Sequence, residues 1–359
     1  MVCRSGDALM RPIGFLSLCL LGCAETSSVH SEQTLSGSRL LVLQTDYATG
    51  LYGEFYTDHL QFSTRQGPSG GDVVLGEGPH GPIILQRSQS DSLLLLDEDL
   101  QIQVEWPLDA GANAHDIQVV GDEIFIAAYG LNELLIFDLQ GQKKATIPLS
   151  VYADIDGKPE AHKLYLEDEK LYLIIQNIDF SDGLQPQITD LSRLLVIDPE
   201  QREVTRVIEI PPNPFSDLVF DGGDGLLLAC NGSWNEQDAG GIYRLRRDQI
   251  EAGEMLITKA AIGGDLTSPH GLAVYQDRIW LTVGHWQGGS ELISFHRDGQ
   301  DRQVHLRRDD WSLSCLYPHD GQLWLCDRKP GASGLRYSGD EFASLIKTRL
   351  PPTELLSLP

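Results

Sequence analysis

The stretch Asp116-Ile-Gln-Val-Val-Gly-Asp-Glu-Ile-Phe-Ile-Ala-Ala-Tyr129 consists of two apolar runs on either side of a short polar break. The same phrase returns as Gly271-Leu-Ala-Val-Tyr-Gln-Asp-Arg-Ile-Trp-Leu-Thr-Val283, and more loosely at 163–174 and 313–325. A period-two apolar pattern predicts β-strands, and a tight polar turn between two of them predicts a hairpin. The copies lie roughly 40–50 residues apart, which is the spacing of propeller blades rather than of helical repeats.

Two more strands follow each hairpin. The third strands include Leu134–Asp138 and Leu194–Asp198, and fourth strands include Lys144–Leu149 and Val204–Ile210. Four strands of this pattern make one antiparallel blade. The sequence therefore predicts complete blades at 72–109, 115–150, 162–211, 217–262, 271–306 and 313–350.

The N-terminal part of the body predicts an incomplete blade. Residues 39–66 supply a second strand at Leu40–Gln44 and a third at Leu51–Tyr56, but no innermost strand. Pro351–Leu358 follows the last outer strand, where an innermost strand is due. We therefore predict an all-β, seven-bladed β-propeller of four-stranded antiparallel blades over 39–359, whose ring is closed by a C-terminal inner strand joining the N-terminal blade. Such closure leaves no central blade edge exposed.

The first residues predict export. Arg11 precedes an apolar run, Ile13–Cys23, that is too short to span a bilayer and suits a signal-peptide core. Leu20-Leu-Gly-Cys23 resembles the bacterial lipobox, which implies a signal peptide over 1–22 and a lipidated polar tether over 23–38, with Cys23 carrying the lipid, palmitate included. Ala24 then favours the outer membrane of the bacterial cell envelope. An ordinary secretory signal is the alternative, and the chain starts at either Met1 or Met10.

The composition limits the partners. The chain has 52 acidic and 27 basic residues and a formal net charge of −25. An acidic surface disfavours nucleic acid and anionic lipid. We expect contact with the membrane through the N-terminal lipid, a protein or small polar ligand as the partner, and a monomeric ring.

Three phrases carry a family resemblance: Thr45-Asp-Tyr-Ala-Thr-Gly50, Tyr152–Glu160 and Asn213-Pro-Phe-Ser-Asp217. On these phrases the chain resembles seven-bladed propellers of the YVTN and NHL type, and more narrowly a group of uncharacterised bacterial propeller lipoproteins. The resemblance covers about 39–359. It implies the fold and says little about function.

Strand alternation predicts a ligand site at one mouth of the channel, because first strands line the channel of a propeller. The residues expected there lie where first strands start or second strands end: His115, His162, Ser216, His270 and Ser312 at the starts, and Arg87, Tyr129, Asn177, Asn231, His285, Asp327 and Arg328 at the ends. This pattern favours a ligand- or protein-binding or scaffold module that acts through the mouth. Loop tryptophans at 234 and 286 are further candidates for stacking a sugar or a peptide.

The histidines leave an enzymatic alternative open. His115, His162 and His270 could hold zinc or copper and make a metal-dependent envelope hydrolase, lyase or oxidase; structural histidines that bond neighbouring backbone are the other interpretation. The chain contains no nucleophile elbow, phosphate loop or haem-attachment motif. Catalysis therefore stays an open question at this stage.

Two smaller patterns suggest a cation and a disulfide. Asp154, Asp156 and Glu160 resemble the first half of a calcium loop, with a solvated turn between blades as the alternative. A two-residue turn at Asp320-Gly321 would place Cys315 directly opposite Cys326. An exported protein would oxidise such a pair, whereas two buried thiols are the alternative.

Replacing Cys23 with Ala should release the protein from membranes. The acylated cysteine would supply the anchor, since two or three acyl chains hold a protein stably in a bilayer and the acidic body does not. Membrane fractionation with metabolic labelling by a fatty-acid analogue measures this. A variant that stays in the membrane fraction, together with an unlabelled wild type, would contradict the lipobox interpretation.

Overall fold

The computed structural model of the chain describes residues 37–88, 90–181, 186–189, 192–233, 240–247 and 249–359. The predicted signal peptide and Cys23, and also Trp234, lie outside the described residues. Within the described ranges seven antiparallel blades follow one another along the chain, so the predicted propeller is confirmed. Its assignment to the YVTN and NHL type stays a prediction.

The strands of blades 1 to 4, apart from the one that the C-terminus supplies, lie between Arg39 and Ile210. Blade 1 has the strand order β3-β2-β1 and is completed by the last strand of the chain, and blades 2 and 3 are four-stranded meanders. Blade 4 carries a small two-stranded excursion, β14 with β15, between its second and third strands. The strands are β1 Arg39–Thr45, β2 Gly50–Tyr56 and β3 Gln61–Ser69; β4 Val73–Glu77, β5 Pro82–Gln86, β6 Ser92–Leu96 and β7 Ile102–Pro107; β8 Ala114–Val120, β9 Glu123–Ala128, β10 Glu133–Asp138 and β11 Lys143–Pro148; β12 Ala161–Glu167, β13 Lys170–Ile175, β14 Ile178–Asp179, β15 Gln187–Ile188, β16 Ser192–Asp198 and β17 Glu203–Ile210.

Blades 5 to 7 complete the ring. Blade 6 has an additional short strand, β22, beside β24. The strands are β18 Val219–Phe220, β19 Gly225–Cys230, β20 Gly241–Arg246 and β21 Gln249–Thr258; β22 Asp265–Leu266, β23 Leu272–Tyr275, β24 Arg278–Gly284, β25 Ser290–His296 and β26 Gln303–Arg308; β27 Leu313–His319, β28 Gln322–Asp327, β29 Gly334–Tyr337 and β30 Ile346–Lys347; and finally β31 Pro352–Leu358.

Helical structure is minor in the described part of the chain. It comprises one α-helix, α1 at Lys259–Ile262, and 3₁₀ turns at Ser150–Tyr152 and Ser338–Asp340. The α-helix is capped by the Thr258 hydroxyl and ends at Gly263, whose φ of 87° is left-handed. None of the helices in the described residues has the length and apolar character needed to cross a bilayer.

The ring closes through the two ends of the body. Strand β31 pairs antiparallel with β1, with Leu356 opposite Leu41 and Leu355 opposite Val42. A further backbone bond joins the Thr45 N–H to the Pro351 carbonyl at 2.8 Å. The innermost strand of blade 1 therefore comes from the C-terminus, as predicted.

The apolar core lies between the blades. Each of the seven buried clusters in the described residues combines side chains of two neighbouring blades. Strand β1 shows why its sequence is continuously apolar: Leu40 and Val42 pack towards blade 7, whereas Leu41 and Leu43 pack towards blade 2. A strand buried on both faces needs apolar residues at every position.

The blade 7 hairpin has the predicted register. His319 pairs with Gln322 across a turn in which Asp320 and Gly321 have φ of 48° and 69°, as a type I′ turn requires. The structure joins Cys315 and Cys326 in a disulfide, with 5.0 Å between their Cα atoms. The bridge ties the two innermost strands of the blade that adjoins the closure.

Deleting residues 351–359 should destabilise the whole ring. The deletion removes the innermost strand of blade 1 and the buried Leu355. Burial of one leucine contributes about 1.5–3 kcal/mol, so with the lost strand pairing we expect about 3–6 kcal/mol. Denaturant unfolding measures the loss, and deletion of Pro359 alone is the control. A truncated protein as stable as the wild type would contradict closure by β31.

Candidate functional site

Bulges at the starts of inner strands aim side chains into the channel. The pairing register of β8 shifts between Ala114 and Asp116, and that of β12 shifts between Ala161 and Leu164. A bulge bends its strand and redirects a side chain. His115 and His162 lie within these shifts, and both line a cavity at the channel mouth.

The mouth cavity has a volume of about 120 Å³, and charged and histidine side chains are among the residues that line it. Five of the predicted residues line it: Arg87, His115, His162, His270 and Arg328. Sequence reasoning missed several others, including Tyr47, Asp72, Lys163, Ser314 and Glu354. The sequence did contain a signal for Lys163 and Glu354, because a charged residue directly follows each of the equivalent positions His115, His162, Ser216 and Thr353.

His115 and His162 form a chain of hydrogen bonds that fixes the tautomer of each ring. The His162 Nε2 lies 3.0 Å from the Phe215 carbonyl, so this nitrogen must carry the proton of the neutral ring. The His162 Nδ1 is then the acceptor in the 2.9 Å contact with the His115 Nδ1, which must donate. The lone pair of His115 therefore remains on its Nε2, for which no hydrogen-bond partner exists among the described residues. Tyr129 stacks on the His115 ring at a centroid distance of 3.9 Å.

The environment keeps both histidines neutral. Burial, and then the Lys163 ammonium, lowers the pKa of His162 to about 3. Burial, and then His162, also lowers the pKa of His115 well below its usual value. His115 is thus a neutral acceptor at physiological pH, oriented by His162.

A layer of charged groups closes the channel beneath the mouth. The Lys163 ammonium lies 2.8 Å from Asp217, which also accepts from the His270 Nδ1 at 2.7 Å. The His270 Nε2 lies 3.3 Å from Glu354, whose second oxygen accepts from the Leu75 N–H at 2.8 Å. Lys163, His270 and Glu354 line both the mouth cavity and a second cavity of about 420 Å³, so they lie between the two.

The members of this layer fix one another's charge. Burial opposes ionisation of Lys163, but the carboxylates of Asp217, Asp116 and Glu354 outweigh burial and raise its pKa. In the same way Lys163 and His270 overcome burial and hold the pKa of Asp217 well below its usual range. Glu354 and Asp217 raise the pKa of His270. The positive and negative side chains of the layer therefore compensate one another, and the raised pKa of His270 favours its protonated form.

Two arginines at the mouth differ in their partners. The Arg87 guanidinium forms an ion pair with Asp72. The Arg328 guanidinium instead donates to the Tyr47 hydroxyl at 2.6 Å and to the Thr45 carbonyl at 3.3 Å, and it lies 4.6 Å from the Tyr47 ring centroid. No carboxylate of the described residues lies within ion-pair distance of it. Its buried Nε has no hydrogen-bond partner there. The same is true of the buried hydroxyl of Ser312, which directly precedes β27.

Several predicted mouth residues are structural, which corrects the prediction for them. The Ser216 hydroxyl is fully buried and bonds the Asp217 carbonyl and the Ala229 N–H. Asp327 is fully buried and pairs with Arg308 and Arg336. Ser312 does not line the cavity either, since the bulge in β27 places Ser314 there.

Three more predicted residues satisfy neighbouring backbone or side chains. Asn177 donates to the Tyr152 carbonyl and accepts from Arg193. The Asn231 side chain accepts from the Leu266 N–H, and the His285 Nδ1 donates to the Gly263 carbonyl. At the end of a strand, backbone N–H and carbonyl groups lack ladder partners. A polar side chain at that position can hydrogen-bond to them, and these three residues do so.

The three predicted metal ligands are not arranged as a metal site. His270 uses both ring nitrogens on Asp217 and Glu354, and His162 uses both on His115 and Phe215. Only the His115 Nε2 has a lone pair to offer. The described residues contain no group of three or more His, Cys, Asp or Glu that could hold a metal ion.

Two side chains of the predicted calcium loop accept hydrogen bonds from nearby backbone N–H groups. Asp156 accepts from the Lys158 and Phe180 N–H groups, and Glu160 accepts from the Ile178 N–H. Burial, with Asp156 and Asp154 nearby, raises the pKa of Glu160 to about 9. Glu160 is therefore protonated at neutral pH. One carboxylate oxygen of Asp154 and one of Glu160 are buried without a hydrogen-bond partner among the described residues, so the calcium interpretation stays a prediction.

Comparison with known proteins gives the fold and no family. No protein-family model and no curated protein matches the chain. Among solved structures, a putative 6-phosphogluconolactonase from Bacteroides uniformis is 12% identical and superposes with a TM-score of 0.56 over 90% of this chain and all of its own. Apo AztD from Citrobacter koseri is also 12% identical, with a TM-score of 0.52 over 90% of this chain and 98% of its own.

A third similar structure is a catalytically inactive variant of virginiamycin B lyase from Staphylococcus aureus with quinupristin. It is 13% identical, with a TM-score of 0.53 over 90% of this chain and 88% of its own. At such low identity these likenesses establish the propeller architecture only. The roles named for these proteins differ from one another, so the fold does not select a function.

Replacing His162 with Gln should make stability less sensitive to acid. A histidine that is neutral in the folded protein but protonated in the unfolded chain destabilises the fold in acid. The free energy of unfolding then falls as pH drops below about 6.5, by up to roughly 1.4 kcal/mol per pH unit. A glutamine amide can still donate to the Phe215 carbonyl and accept from His115, but it does not titrate. Unfolding free energies at pH 7.5, 6 and 5 measure the difference between the two proteins, in which the shared effects of Asp217 and His270 cancel. Equal pH slopes would contradict a neutral His162.

Proposed function

We propose that this protein is a binding module that holds a small anionic ligand in the channel mouth. The observation that carries the proposal is the Arg328 guanidinium, which lines the cavity without a carboxylate partner among the described residues and has a buried, unpartnered Nε. A buried donor without an acceptor costs about 1–3 kcal/mol. The Nε itself is out of reach of the cavity, so a carboxylate or phosphate oxygen would pair with the accessible N–H groups of the partly exposed guanidinium.

The charge balance supports an anion at this position. The mouth cavity is lined by the cations Arg87, Lys163 and Arg328 and by the carboxylates Asp72 and Glu354, so its lining carries an excess of positive charge although the whole chain has a net charge of −25. Guanidinium is the cation of choice for carboxylate and phosphate because its donors match their geometry. The neighbouring Arg87 is neutralised by Asp72 and contributes less to the local potential.

The remaining lining limits the size and polarity of the ligand. About 120 Å³ accommodates a group of only a few heavy atoms. The His115 Nε2 offers an acceptor for a hydroxyl or amide donor, and the exposed Tyr47 ring offers an apolar face at the rim. A carboxylate or phosphate group with an adjacent hydroxyl matches the Arg328 cation and the His115 acceptor, and a short apolar part of the ligand would contact the Tyr47 ring.

The broader role follows the sequence prediction. The lipobox resemblance at Cys23 supports a lipid-anchored protein of the bacterial cell envelope, with the outer membrane as the favoured location. Similar propellers include one in a nidogen–laminin complex and one with quinupristin. These names are consistent with a binding or scaffold role for a protein or a small molecule, but the protein with quinupristin is a lyase, so the names do not decide between binding and catalysis. The metal-dependent alternative is less favoured, because His162 and His270 have no free ring nitrogen.

Calorimetric titration with phosphate, lactate and malate, and with glycerol as the neutral control, tests the proposal. At least one anion should bind, and Arg328→Gln should weaken that binding by roughly tenfold or more, the worth of a charge-assisted hydrogen bond. Arg307→Gln makes the same charge change at an arginine whose side chain is 72% exposed, and should leave the affinity unchanged. Undetectable binding of all three anions at 10 mM, or equal losses in both variants, would contradict an anion site at Arg328.

A further inference from the structure

Two tryptophans form an exposed aromatic pair at the junction of blades 6 and 7. Trp286 is 65% exposed and Trp311 is 48% exposed. Their ring centroids lie 6.1 Å apart with the planes at 66°. Trp286 lies in the loop between β24 and β25, and Trp311 precedes β27. Contiguous exposed apolar patches rimmed by polar residues mark interaction sites, whereas apolar residues exposed singly are normal.

The pair is held in place by the surrounding backbone. The Trp311 indole N–H donates to the His285 carbonyl at 3.0 Å. Its ring lies against Gly284, where an added Cβ would come within 3.1 Å of the ring atoms. The loop that carries Trp286 is closed by bonds from His285 N–H to the Gly289 carbonyl and from Gly288 N–H to the His285 carbonyl. The platform is therefore preorganised, which lowers the entropy cost of binding.

Two charged side chains that can donate or accept hydrogen bonds lie near Trp311, one of them by its place in the chain and the other by contact with the first. Asp309 is two residues before Trp311, and its side chain is 88% exposed. Lys329 lies 3.5 Å from that carboxylate and is itself partly exposed. An apolar face bordered by exposed hydrogen-bonding groups is the chemistry that a sugar ring requires: its C–H face packs on an indole and its hydroxyls bond the rim.

Other occupants fit less well. Asp309 and the net charge of −25 repel anionic lipid and nucleic acid. Two rings offer far less than the roughly 800 Å² per partner of a stable protein interface. We propose that Trp286 and Trp311 form a binding surface for a neutral oligosaccharide, with Asp309 and Lys329 bonding its hydroxyls. Lys329 directly follows Arg328 in the chain, but none of these four residues lines the mouth cavity.

Titration with maltotetraose, cellotetraose and chitotetraose, followed by calorimetry and tryptophan fluorescence, tests this surface. At least one of these tetrasaccharides should bind, and Trp286→Ala and Trp311→Ala should each weaken it at least tenfold. Trp311→Phe keeps an aromatic face and should retain part of the affinity. Phe220→Ala removes an exposed aromatic ring elsewhere and should change nothing.

The controls separate this surface from the mouth. Arg328→Gln should bind the oligosaccharide as the wild type does, whatever its effect on anions. Thermal unfolding of each variant shows whether the ring is intact. Failure of all three tetrasaccharides to bind at 10 mM, or wild-type affinity in both alanine variants, would overturn the saccharide surface while leaving the anion proposal to its own test.

Discussion

The pairing of the last strand with the first is the interaction on which the rest of this structure depends. None of the blades has a hydrophobic core of its own, since each buried cluster needs one face from each of two neighbours. An open ring would leave one face of each end blade, in blades 1 and 7, without a partner. Strand β31 prevents this by placing Leu355 in the cluster shared with blade 7 and Leu356 against that shared with blade 2.

Closure also builds the candidate site. Glu354 lies on β31, and it accepts from the Leu75 N–H of blade 2 while it faces His270 of blade 6. Similar bridges follow round the channel, from Asp116 to the Leu164 N–H and from His162 to the Phe215 carbonyl. Neighbouring blades share no sheet ladder, so these side chains satisfy the backbone groups at the starts of the innermost strands. The groups that shape the mouth are therefore the same groups that connect the blades.

Much of the fold could be predicted because its signals are local. Alternation within each strand and the Asp320-Gly321 turn lie within a few residues of what they determine. The site could be predicted only in part. His115 and His162 were found from equivalent positions in the repeat, but the role of Lys163 depends on Asp217 in the next blade. The partners of Asn231 and Asp327 are likewise distant in sequence, which is why these residues were assigned to the mouth although they serve the framework.

The charged layer across the channel is poorly explained by stability alone. A buried ion network often gains nothing over apolar side chains of similar volume, because the cost of removing its charges from water is several kcal/mol per ion. Apolar side chains do occupy the next positions in the chain: Leu164 follows Lys163, Leu218 follows Asp217, and both leucines are buried. Lys163, which is paired with Asp217, and Glu354 instead give the mouth a polar floor with fixed charges, in the same cavity as the neutral acceptor of His115. A floor of this kind orients a polar ligand without reorganising on binding, and this is the property that a binding module with so small a cavity requires.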